Sequence, residues 1–103
     1  MKLLLKNKEI NLKDCNNFKD KLIGFMFKKN IDCALRFKCK SIHTFFMKQN
    51  IDIIITDKNN KVLYIYTNFH KNKIIIKKKA YYFYELKKYT NTYKVNDILK
   101  INY

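Results

Sequence analysis

The sequence predicts a mainly β domain: an antiparallel β-sandwich of jelly-roll type, or a partly closed barrel, with one short helix near 17–24. Three observations carry this expectation. From position 33 onward, apolar residues alternate with polar ones or form short β-branched blocks, the pattern of strands. Helical spacing occurs in one place, so the crossover helices that parallel strands need are missing and antiparallel pairing is expected. Gly24 is the one glycine and proline is absent. Asparagine must therefore supply the left-handed turn residues, which it tolerates best after glycine.

The elements follow in order. KLLLK at 2–6 is a short strand, and Ile10 and Leu12 alternate with Asn11 and Lys13 in a second. The period then changes: Phe18, Leu22 and Ile23 share one helical face. Asn16 or Asn17 can cap that helix, and Gly24 sits where a left-handed residue commonly ends one. CALRFK at 33–38 and IHTFFMK at 42–48 are strands. IDIIIT at 51–56 and KVLYIYT at 61–67 flank DKNN, which reads as a hairpin turn. KIIIK at 73–77 is too apolar for an exposed strand and is expected at the centre of a sheet. AYYFYEL at 80–86 alternates its rings, and VNDILKI at 95–101 closes the chain as a last strand.

The 103 residues make one domain, 1–103, large enough for a core without disulfides or metal. No stretch of about 20 residues is apolar enough to span a bilayer. The apolar run in MKLLLKNKEI falls short of the roughly 7–15 residues of a signal peptide. Cys15, Cys33 and Cys39 are odd in number and without C-x-x-C spacing. That favours reduced thiols in a cytoplasmic protein over a zinc site or a Cys33–Cys39 bridge. No metal or cofactor is expected.

The formal charge is +15, and of 23 basic residues only Arg36 is arginine. Abundant lysine, asparagine, isoleucine, tyrosine and phenylalanine are all products of AT-rich codons, so genome composition accounts for the charge without selection for a polyanion partner. Weak, nonspecific polyanion binding remains compatible with it.

Four segments then fall in a recognisable order: GFM at 24–26, HTFFMKQNIDIIITDKNNKVLYI at 43–65, AYYFYEL at 80–86 and NDIL at 96–99. This order and spacing resemble the small bacterial and archaeal proteins of the domain of unknown function 192 family. The resemblance implies a compact jelly-roll-like β-sandwich with one packed helix, and no established reaction. The chain departs from the family pattern at Lys28 and Lys29, where an arginine usually stands, at Asn50 in place of proline, and at Asn96-Asp97 in place of Gly-Asp.

The candidate ligand-binding residues are Met26, His43, Met47, Asp52 and Glu85. Alternation puts His43 with Met47, and Asp52 with Ile54 and Thr56. Asp52 reads equally as a turn cap accepting backbone N–H groups and as a ligand-facing carboxylate. His43 reads as a half-buried strand histidine, the two methionines as core filling or a soft groove lining, and Glu85 as the partner of a lysine such as Lys28 or Lys29. No catalytic residue is assigned: Ser41 is the one serine, and one glycine cannot make a phosphate-cradling loop.

The leading expectation is a non-enzymatic binding module for an unknown small ligand or protein. The alternative is a nonspecific single-stranded nucleic-acid binder using Lys77, Lys78, Lys79, Tyr82 and Tyr84, a basic strip beside stacking rings. A second alternative is a hydrolase-like enzyme using Asp52, Glu85 or His43.

Overall fold

The computed structural model describes residues 1–15, 33–44, 47 and 49–103. Among them the strand-period segments form β1 (Lys2–Leu4), β2 (Glu9–Asp14), β3 (Ala34–Lys38), β4 (Ser41–His43), β5 (Ile51–Thr56), β6 (Val62–Phe69), β7 (Ile74–Ile76), β8 (Tyr82–Lys87) and β9 (Ile101–Asn102). The described residues contain no helix, and the expected helix at 17–24, with Gly24, lies outside them.

Seven strands form one sheet in the order β6-β5-β8-β3-β2-β1-β9, and β4 and β7 form a separate two-stranded ribbon. Pairing is antiparallel except between β2 and β3, which run parallel with Leu12 opposite Ala34. The sheet is thus mainly antiparallel, as expected, and the one parallel pair runs against the expectation that parallel pairing is disfavoured. A parallel pair needs a connection of roughly a dozen residues or more, and the stretch between Asp14 and Ala34 supplies that length.

The fully buried interior strand is β5, between β6 and β8, not 73–77. Every residue of Ile51–Thr56 is buried. β7 instead lies in the ribbon, with Ile75 turned inward and Ile74 and Ile76 turned to solvent. Apolar content marked 73–77 as a central strand, but a two-stranded ribbon can bury only one of its faces. Of the expected strand at 42–48, Ile42 and His43 lie in β4, Thr44 and Met47 lie outside any strand, and 45, 46 and 48 fall outside the described residues. Past His43, the Thr44 hydroxyl accepts the Lys73 N–H at 2.9 Å and donates to the His70 carbonyl at 3.0 Å, fixing the chain to the turn before β7.

Both faces of the large sheet are covered. On one, Leu35, Phe37, Ile51, Ile53, Ile55 and Phe83 pack against Met47, Ile75 and Ala80. On the other, Ala34, Ile54, Tyr84 and Leu86 pack against Leu3, Leu5, Leu12 and Leu99. Among the described residues the sheet is not closed into a barrel. Its two ends are tied by a Lys61–Ile98 bridge and by the Val62 N–H donating to the Asp97 carbonyl at 2.8 Å.

Asparagine supplies the turns as expected: Asn60, Asn68, Asn72 and Asn96 have φ between 53° and 78°. The DKNN hairpin forms between β5 and β6. In it the Asp57 carboxylate accepts the N–H groups of Asn59 and Lys61 at 2.9 and 3.0 Å. Tyr89, at φ 63°, is the one other non-glycine residue in this region among the described residues.

Candidate functional site

Asp52 lies in the buried strand β5 on the face of Ile54 and Thr56, as alternation requires, and is 0% exposed. A charge there needs donors. The Asn68 and Tyr89 N–H groups donate to its Oδ1 at 2.8 and 3.0 Å, and the Asn91 N–H donates to Oδ2 at 2.9 Å. The β5–β6 register shifts between Ile51, opposite Phe69, and Ile53, opposite Tyr66, so Thr67 and Asn68 bulge across from Asp52. The carboxylate thus holds a bulge residue that the ladder leaves unpaired and, through Tyr89, the left-handed residue by which the chain leaves β8.

The other expected residues do not converge on it. Glu85 is buried in β8, flanked by Leu35 and Ile53, whereas Asp52 stands opposite Leu86. The two carboxylates therefore leave opposite faces of the sheet and cannot share one water. Met47 is buried in the cluster beneath the ribbon. His43 is half-buried at the end of β4, opposite Ile74, on the ribbon's outer face. Met26 lies outside the described residues. Among the described residues, no group of three or more His, Cys, Asp and Glu side chains is placed to hold a metal ion.

The basic and aromatic residues also separate. Tyr84 is 0% exposed and its hydroxyl donates to Asn60 Oδ1 at 2.6 Å, so its ring is no stacking platform. Burial pushes the Tyr84 phenol well above the usual tyrosine range. Tyr82 is half-buried with the Arg36 guanidinium 4.7 Å from its ring centre. Lys77 lies instead on the other side of the sheet, its ammonium 4.4 Å from the Tyr64 ring centre and 6.0 Å from that of Tyr66. Lys78 and Lys79 are exposed in the turn that follows.

One arrangement escaped the sequence reading. Arg36 is buried in β3 and grips Asp14 of β2 with two parallel bonds, Nε to Oδ1 and Nη2 to Oδ2, each 2.6 Å. This pairing raises the affinity of the guanidinium for its proton, while burial acts the other way. Lysine cannot make the fork, so the one arginine among 23 basic residues was the available signal.

The ribbon's outer face carries the exposed apolar surface near an expected residue. Ile42 and Ile75 pair and pack inward, which leaves Ser41, His43, Ile74 and Ile76 outward. Ile74 is 58% and Ile76 68% exposed. Two shallow depressions of about 260 and 290 Å³, one beside Leu5 and Tyr93 and the other beside Asn11 and Tyr103, include none of the expected residues. Among the described residues no helix is long and apolar enough to cross a membrane.

No protein-family model matches the chain, and no curated protein matches it. Two solved structures share its fold. A candidate transcription regulator from Sinorhizobium meliloti 1021 superposes with a TM-score of 0.82 at 14% identity, over 96% of this chain and 89% of the other. A protein of unknown function from Novosphingobium aromaticivorans DSM 12444 superposes with a TM-score of 0.80 at 11% identity, over 97% of this chain and 82% of the other. At these identities the likeness is one of fold: a sheet-rich domain shared over nearly the whole chain.

Proposed function

We propose that the protein is a non-enzymatic binding module and that its working surface is the outer face of the β4–β7 ribbon. The observation that carries this reading is the pair Ile74 and Ile76, side by side and more than half exposed on a strand whose neighbouring residue Ile75 is core. Contiguous exposed apolar surface rimmed by polar residues is the kind that marks interaction sites. A two-stranded ribbon presents an extended strand edge with which another chain can pair, so a polypeptide partner suits it better than a small ligand. Against an enzyme stand the separation of Asp52 from Glu85 across the sheet and the engagement of both Asp52 oxygens by backbone N–H groups.

The resemblance to the domain of unknown function 192 family belongs to this proposal, and with it a jelly-roll-like sandwich. Its support is the motif order, together with a ribbon packed over one face of the sheet. The three cysteines, odd in number, support a cytoplasmic setting. Single-stranded nucleic acid is the second reading, favoured by Lys77 beside Tyr64 and Tyr66. Such binding would be weak and would collapse with salt, because it rests on counterion release by dispersed lysines.

Amide chemical-shift mapping tests the proposal. Extended apolar peptides, a metabolite mixture and oligothymidylate are titrated separately into labelled protein. Responses confined to 41–43 and 73–77 are expected. A metabolite response centred on Asp52, Tyr89 and Asn91 would overturn the reading in favour of a ligand-facing carboxylate.

A further inference from the structure

We propose that the open edge of β7 receives an acidic, extended polypeptide segment as a third strand of the ribbon; this names the partner of the surface proposed above and rests on that reading. The geometry begins with the hydrogen-bond phase. The Thr44 N–H donates to the Lys73 carbonyl and the Lys77 N–H to the Lys40 carbonyl, each at 2.8 Å, on either side of the Ile42–Ile75 pair. In an antiparallel ladder such residues alternate, so 73, 75 and 77 direct their backbone groups at β4. Ile74 and Ile76 direct theirs away from it. On that side β7 pairs with no strand among the described residues. Among the described residues the edge therefore offers four backbone groups beside two exposed isoleucine side chains.

An edge of this kind is open to pairing with another chain. Charge decides which chain. A second copy pairing antiparallel through its own β7, centred on Ile75, would place Lys73 opposite Lys77 twice, and like charges directly opposite are destabilising. The formal charge of +15 on each copy adds to that repulsion. The same two lysines favour a strand with carboxylates four residues apart, one facing each of them. β-Branched residues on that strand, one position inside each carboxylate, would lie against Ile74 and Ile76. Lys78 and Lys79, exposed just beyond, extend the basic rim. The lysines thus block self-pairing and select an acidic partner with one device.

The probes are three peptides sharing a Val-Thr-Val centre, flanked by glutamate, by glutamine or by lysine, each titrated into the intact chain with amide exchange followed by NMR. The glutamate peptide is expected to bind, to slow exchange at Ile74 and Ile76, and to bind roughly tenfold tighter than the lysine peptide. The Lys73→Glu/Lys77→Glu chain, altered only at exposed or half-buried side chains, is expected to reverse that preference. Equal binding of all three peptides at the same amides overturns the acidic partner while the binding surface stands. No response at 41–43 or 73–77 to any peptide overturns both. Oligothymidylate protecting the same amides as well as the glutamate peptide, or dimerisation of the free chain in sedimentation, overturns the proposal as well.

Discussion

Replacing Asp52 by asparagine keeps the shape of the side chain and removes one acceptor, which isolates the carboxylate's role. The amide oxygen can still accept the Asn68 and Tyr89 N–H groups that now meet Oδ1. The new NH₂ then faces the Asn91 N–H, which donates to Oδ2 at 2.9 Å, so a donor meets a donor. Leaving one such group unsatisfied costs about 1–3 kcal/mol. Losing the charge weakens the other two bonds, but it also removes the desolvation penalty of a fully buried carboxylate. The expected net loss for Asp52→Asn is about 2 kcal/mol. Asp52→Ala abandons all three donors and leaves a cavity, for about 3–5 kcal/mol. That is a large share of the roughly 5–15 kcal/mol available to a domain of this size. Urea unfolding followed by circular dichroism measures both losses, and amide exchange should show the protection of Asn68, Tyr89 and Asn91 falling together. If Asp52→Asn unfolds at the wild-type urea concentration with those three amides still protected, the clamp argument is wrong.

Arg36→Lys should destabilise by about 1–3 kcal/mol in urea unfolding, because lysine replaces a two-bond fork with a point charge. Arg36→Met should cost more, about 3–5 kcal/mol, and adding Asp14→Leu to it should recover much of the loss, since the penalty is mainly the stranded partner. Asn96→Ala should cost about 1–2 kcal/mol and Asn96→Gly little, because φ is 78° at that position and a Cβ is strained there. Stability should also fall as pH rises past about 10, where the Tyr84 phenol ionises in the unfolded chain but not in the folded one. Its folded pKa is raised by burial, so its contribution is complete below the unfolded value and is lost above it. Unfolding curves on either side of that pH should show the drop, and Tyr84→Phe should reduce it.

Local signals were legible in the sequence wherever neighbours along the chain decide the structure. The hairpin at DKNN forms because Asp57 bonds to residues two and four positions on. The asparagine turns follow from the presence of a single glycine and no proline. Placement of strands in the sheet was not legible, because it depends on distant partners. IDIIIT and KIIIK look alike in apolar content, yet the first is an interior strand buried on both faces and the second has one face in solvent. The lysines bounding 73–77 were the available hint, since charge on a strand marks an edge. The parallel β2–β3 pair was obscured because the connecting segment, not the strands, sets its direction. The Asp52 site was half legible. An aspartate after a turn announces a cap, but the donors it caps lie 16, 37 and 39 residues away.

The binding surface itself can be tested in one titration. The Ile74→Ser/Ile76→Ser chain is compared with the wild type against the glutamate-flanked peptide, with amide spectra reporting both folding and binding. Both side chains are more than half exposed, so the substitutions should leave the spectrum of the sheet unchanged and stability within about 1 kcal/mol of wild type. The peptide response at 41–43 and 73–77 should disappear. A variant that stays folded and still responds to the peptide like the wild type, or one that unfolds because the two isoleucines hold the ribbon in place, would contradict the account.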